Sequence, residues 1–178
     1  MSDSDEAVVS GAERTRTILE ERARALARPS TAEARPGDRF ELLLFSLAGE
    51  TYALETRTIR EVTRFTDFTA VPGASEFLLG VTNLRGELLP VFDLLRLIGL
   101  SSKGLTDLSR LIVLGEGREE IGILADAARG VETIARDEVL RPPEALARMG
   151  ANLLIGVTMD AVSVLDGAGL LRDPRLFL

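Results

Sequence analysis

From Phe40 onward the chain alternates short apolar runs with turn residues. Phe40 to Leu47 alternates and is rich in Leu and Phe, which predicts a strand. Ala48-Gly49-Glu50 reads as a hairpin turn, and Thr51 to Glu55 as the return strand. Ile59-Arg60-Glu61-Val62 fits a single helical turn or a bulge. Pro72-Gly73 marks a loop. Phe77 to Leu84 and Glu87 to Phe92 predict two more strands around a tight turn at Arg85-Gly86. Asp93 to Gly99 predicts a short helix, with Asp93 near its N-terminus and Gly99 past its end. Ser101 to Asp107 is a polar connector.

The pattern then repeats. Arg110 to Leu114 predicts a strand, Gly115 to Arg118 a turn, and Ile121 to Leu124 a return. Leu78-Leu79-Gly80-Val81-Thr82 is matched by Leu154-Ile155-Gly156-Val157-Thr158. Each is followed by another apolar strand, then Asp (93 or 166), then a Leu-Leu pair. The order is hairpin, loop, Gly-Val-Thr strand, strand, helix, twice over. Two copies at this spacing are too few for a solenoid. They predict two related β units of roughly five strands, each too small to bury a generous core alone and therefore packed on the other. Closure into barrels would remove exposed edges.

Residues 1–38 differ. They hold eight acids and six arginines and no aromatic residue. Val8, Ala12, Leu19, Ala23 and Leu26 recur at helical spacing, and Ser10 or Asp5 is placed to cap a helix that Pro29 ends. The expectation is a partly helical extension, solvated or partner-binding, joined by a linker to a domain spanning 39–178.

Composition removes whole classes of chemistry. Among 178 residues there is no His and no Cys. Ser-His-Asp catalysis, Cys nucleophiles, disulfides and imidazole or thiolate metal sites are therefore excluded. A net charge of −7 argues against general nucleic-acid or anionic-membrane binding, which rests on positive charge. No apolar run approaches the ~18–20 residues a spanning helix needs. The acidic start is unlike a signal peptide, so a cytoplasmic protein without direct membrane insertion is expected.

Residues shared by the two copies have a structural explanation ready. Gly80 and Gly156 suit a crowded strand position, and Asp93 and Asp166 suit helix starts. Residues present in one copy need another reason. After Thr82 the first half continues Asn83-Leu84-Arg85-Gly86-Glu87, whereas the second has Met159-Asp160-Ala161-Val162. Asn83 and Gly86 suit a tight turn with positive φ. Arg85 is demanded by no turn type, and at a hairpin end it can present a planar, multi-donor head to a partner.

The run Phe77 to Leu94, with Gly80-Val81-Thr82-Asn83-Leu84-Arg85-Gly86 followed by Pro90-Val91-Phe92-Asp93-Leu94, closely resembles the signature of the CheW-like domain, the coupling proteins of chemotaxis-type signalling. Phe45 with Leu47, Tyr52-Ala53-Leu54, Ile59 to Val62, Val71-Pro72, Arg110 to Val113, Gly122 to Asp126, Pro142 and Leu165-Asp166 match in order, over about residues 39–172. Ala125-Asp126 stands where the family usually has Val-Asp. The resemblance implies an all-β fold with short helices: two tandem five-stranded SH3-like barrels packed together, a first at about 39–100 and a second at about 108–172.

It also implies a scaffold without catalytic activity, cofactor or metal. Such a protein bridges the cytoplasmic tips of membrane chemoreceptors and the regulatory domain of a CheA-type histidine kinase, and is recruited to receptor arrays. Arg85 matches the arginine implicated in coupling, flanked by Asn83 and Gly86. Glu61 and Ile59 match positions near an inter-barrel groove where the receptor tip docks. The kinase's domain would pair with the first barrel through apolar positions such as Leu43, Phe45 and Val81, each equally explained as core. The alternative is a CheW-like adaptor of a dedicated non-flagellar pathway, holding a kinase or other partner without receptor coupling; the 38-residue extension motivates it. A carboxylate enzyme using Asp126 with Asp160 or Asp166 is a distant third.

Overall fold

The structure is a computed structural model and describes residues 39–100, 110–116, 119–142 and 153–176. The expected leader helix and the connector at Ser101 to Asp107 lie outside them. The first half of the domain supplies strands β1 (Arg39–Leu47), β2 (Glu50–Glu55), β3 (Ile59–Arg64), β4 (Leu78–Leu84) and β5 (Glu87–Phe92), then helix α1 (Leu94–Leu97). The second supplies β6 (Arg110–Glu116), β7 (Glu119–Ala125), β8 (Ala127–Ala135), β9 (Leu154–Val157) and β10 (Ser163–Leu165), then helix α2 (Gly167–Leu171).

The ten strands form two five-stranded sheets, but not one per half. Sheet I has the order β8-β1-β2-β10-β9 and sheet II the order β3-β6-β7-β5-β4. Each half places its opening hairpin in one sheet and its next three strands in the other. The expected division into contiguous barrels at 39–100 and 108–172 is thus corrected to a reciprocal exchange. The physical reason lies just after each hairpin. A 3-10 turn at Thr56–Thr58 carries the chain from β2 into β3, which pairs with β6 instead of folding back. Asp126 alone separates β7 from β8, which pairs with β1.

Both sheets close in the same way. Beyond β3, Thr69 exchanges two backbone hydrogen bonds with Val81 of β4, at 2.8 and 2.9 Å. Beyond β8, Leu140 exchanges two with Val157 of β9, both 2.9 Å. Each bridge joins the two edges of its sheet, which leaves fewer unpaired edge groups. The repeated glycines make the approach possible. A Cβ on Gly80 would lie 2.3 Å from the Thr69 carbonyl oxygen, and one on Gly156 2.4 Å from that of Leu140. The aspartates behave alike as well. Asp93 accepts a hydrogen bond from the Arg96 backbone N–H at 3.2 Å, and Asp166 from that of Gly169 at 2.9 Å, each capping the helix that follows.

The core explains why β1 and β6 are apolar on both faces. Phe40 and Leu42 point into sheet I with Ala53 and Val164. Leu111 and Val113 point into sheet II with Leu89, Val91 and Leu124. The alternate positions, Leu43, Phe45 and Leu47 on β1 and Ile112 and Leu114 on β6, meet in a third and larger cluster that α1 and α2 seal with Leu94, Leu97, Leu170 and Leu171. Most of the apolar burial, and so most of the hydrophobic stabilisation, lies between the sheets. Phe45 stacks on Tyr52 there, ring centroids 6.0 Å apart. β8 is mostly exposed, which is why no alternation marks it in the sequence.

Candidate functional site

The hairpin β4–β5 turns through two residues, and both take left-handed backbone: Arg85 at φ 56° and Gly86 at φ 92°. That is the type I′ geometry matching the twist of the strands. Glycine adopts it freely, whereas arginine carries a steric cost of about 1–2 kcal/mol. The sequence expectation gave Asn83 positive φ; the structure corrects this. Asn83 is the penultimate residue of β4, and its Oδ1 accepts the Gly86 backbone N–H at 2.9 Å, so it fixes the turn by side chain.

The Arg85 side chain is 78% exposed and its Nη2 donates to Glu61 Oε2 at 2.5 Å. Glu61 lies on β3 and is only 23% exposed. β3 and β4 are opposite edges of sheet II, so the pair spans the seam that Thr69 and Val81 close. One face of the guanidinium is tied down and the rest is free to bond a partner.

Apolar surface adjoins it. Leu88 stands directly across the hairpin from Asn83 and is 75% exposed, while its neighbour Leu89 is buried. Val62, which follows Glu61 on β3 and points to the opposite face of the sheet, is also exposed. Neither residue stood out in the sequence. The signal for Leu88 was partial: period-two geometry points two consecutive leucines of a strand to opposite faces, but does not say whether both faces are buried.

Ile59 is half-buried against the inter-sheet core and pairs with Leu114. Its segment, expected as a helical turn or a bulge, is a strand whose register shifts between Ile59 and Glu61. Beside Ile59 opens a cleft of about 310 Å³ at the junction of the two sheets, lined by Arg57, Thr58, Gly115, Glu116, Ala168 and Arg172. It is polar: Arg57 pairs with Glu55, and Arg172 with Glu116 at 3.3 Å. Past α2, Arg175 holds the Asp173 carboxyl below the usual carboxylate range by hydrogen bonding, against the opposing effect of burial. The same guanidinium donates to the Leu97 carbonyl at 3.2 Å, fastening this segment to α1.

The expected kinase-facing positions fare differently. Leu43 and Phe45 are buried in the inter-sheet core, Phe45 completely, and offer no surface. Of their two readings, core packing is the one realised. Val81 is half-buried and takes part in the closing bridge. Two of the carboxylates considered for catalysis have structural roles: Asp126 accepts the Ala48 N–H at 2.7 Å and braces the β1–β2 turn, while Asp166 caps α2. No group of three potential metal ligands occurs among the described residues, and none of their helices is long and apolar enough to cross a membrane.

Comparison with known proteins gives the site a context. The model of the CheW-like domain matches residues 41–175. The chain is 30% identical to the chemotaxis protein CheW of Bacillus subtilis over 118 residues, covering 66% of this chain and 74% of the relative. It is 32% identical to the protein FrzA of Myxococcus xanthus over 153 residues, covering 83% and 94%. The crystal structure of the scaffolding protein TtCheW from Thermoanaerobacter tengcongensis superposes with a TM-score of 0.63 at 28% identity, covering 71% of this chain and 88% of that one.

Proposed function

The chain belongs to the family of CheW-like domains, and from that membership we infer that it is a non-catalytic scaffold coupling chemoreceptors to a CheA-type histidine kinase in chemotaxis-type signalling. It works in the cytoplasm and is recruited to receptors in the membrane. The observation that carries the reading is Arg85: a largely exposed guanidinium, held by Glu61 on a turn whose backbone does not favour arginine. Strained backbone kept at a surface points to a use for the side chain.

A receptor tip is a helical hairpin, and such a partner wants apolar surface with a polar anchor. Leu88 supplies the first, Arg85 and Glu61 the second, with Asn83 and Gly86 setting the turn and Ile59 leading toward the inter-sheet cleft. The kinase's regulatory domain takes a separate surface, for which Val81 remains a candidate and Leu43 and Phe45 do not. A rigid body with two separate faces is what coupling requires, and the inter-sheet core provides the rigidity.

Sedimentation of receptor-bearing membranes tests this. The kinase should pellet with them only when the chain is present. Pelleting of chain without kinase, or of neither, contradicts the proposal. The relatives FrzA and PilI, which carry no chemotaxis name, support a second reading, an adaptor of a dedicated pathway. There the kinase binds and receptor membranes do not.

A further inference from the structure

The two sheets are built alike but are not filled alike. In sheet II, Phe68 packs over Gly80 and Phe65 lies beside it, ring centroids 5.9 Å apart. Phe65 and Leu84 add to the core of that sheet. In sheet I the equivalent of Phe68 is Val139, which packs over Gly156. The place of Phe65 falls to Arg136, whose guanidinium lies over the Phe40 ring at 4.0 Å. Strands β9 and β10 are also shorter than β4 and β5 and are joined by five residues instead of two, with the Thr158 N–H donating to the Val162 carbonyl at 3.0 Å. In this connection Val162 packs against the sheet I core, a smaller side chain than Leu84 in sheet II.

The result is an open cleft of about 330 Å³ at the mouth of sheet I. Its floor is Leu42, Leu44, Ile134 and Val162, continuous with the sheet's own core. Met159, 83% exposed, and Leu140 stand at the lip. Glu132, Asp137, Glu138 and Asp160 line it too. Among the described residues Glu132, Asp137 and Asp160 enter no ion pair, and Glu138 accepts the Ala135 N–H. The arginines nearest these positions in sequence are Arg129, Arg136, whose guanidinium lies over Phe40, and Arg141.

We propose that this cleft is a docking site for a protein segment that inserts one or two large apolar side chains flanked by arginine or lysine. An unfilled apolar floor binds the apolar side chain. A flexible Met at the lip adapts to its shape. Unpaired carboxylates around it select positive flanks. The site is separate from the Arg85 surface and does not depend on the function assigned to that surface.

The full chain, titrated with three amidated peptides, tests this. One carries Leu-Phe between two pairs of arginines, one carries Leu-Phe between two pairs of glutamates, and one carries Ser-Ser between two pairs of arginines. The first binds at least about tenfold more tightly than either other, because apolar insertion and charge both contribute. Methyl resonances of Leu42, Leu44, Ile134 and Val162 shift with it. Asp160→Lys, at an exposed position, weakens that peptide about fivefold, and Val139→Phe, which restores the plug of sheet II, removes binding. Absence of binding at millimolar peptide overturns the proposal. So does equal affinity for either comparison peptide, or an Asp160→Lys variant that binds unchanged.

Discussion

Arg85 and Glu61 lie on the two edge strands of one sheet, and a 2.5 Å contact joins them across the seam where that sheet closes. The pair therefore sets the direction of an exposed guanidinium without burying it. As an exposed ion pair it contributes at most about 1 kcal/mol to stability. Its value is orientation.

Replacing Arg85 separates backbone from side chain. Arg85→Gly and Arg85→Ala both remove the ion pair. Glycine tolerates the left-handed turn and alanine does not, so the glycine variant is expected to be more stable by about 1 kcal/mol. Urea unfolding of the two variants measures the difference. Neither should support receptor coupling, whichever folds better.

The repeated glycines predict matched damage. Gly80→Ala and Gly156→Ala each drive a methyl into a backbone carbonyl that cannot move without breaking the closing bridge. Each is expected to cost about 3 kcal/mol, at the upper end for overpacking. Thermal unfolding of both variants checks this, and a large loss for one alone would mean that the two seams are not equivalent.

The aspartate caps predict smaller effects. Asp166→Ala loses one hydrogen bond to a helix N-terminus and should cost about 1 kcal/mol, and Asp93→Ala, which also loses the ion pair with Arg96, at least as much. Both lie away from the Arg85 turn, so receptor binding, measured by sedimentation, should be retained.

Acid stability depends on Asp173. Hydrogen bonds from Arg175 lower its pKa in the folded chain. The stabilisation is then complete above the ordinary carboxylate value of about 3.9, and it is lost as pH falls through the lower folded value. Urea midpoints measured from pH 6 down to pH 2 should fall less steeply for Asp173→Asn than for the parent chain, and an unchanged acid limb would refute the assignment.

Much of this was legible in the sequence because it is local. The Ala48-Gly49 and Arg85-Gly86 turns, the capped helices and the doubled Gly-Val-Thr strand follow from residue type and spacing, and each appears in place. Strand exchange was not legible. Whether β3 folds back on β2 or crosses to β6 depends on pairing between residues far apart in the chain, and no local pattern records it. β1 and β6 hid the answer further, since strands serving two cores read as plain apolar runs. That is also why Leu43 and Phe45 read equally as surface or as core. Period-two geometry places them opposite Leu42, but only the second sheet shows that this opposite face is buried too. Arg85 was visible as the residue no turn type requires; its partner Glu61 became a neighbour only through the seam.

The central claim is that the Arg85 turn couples receptor to kinase. In membranes reconstituted with receptor, kinase and the full chain, Arg85→Glu sets a carboxylate beside Glu61 and reverses the charge shown to the receptor. The variant is predicted to unfold at nearly the parent temperature and to lose receptor control of kinase activity. A folded Arg85→Glu chain that still gives full receptor control would contradict the account.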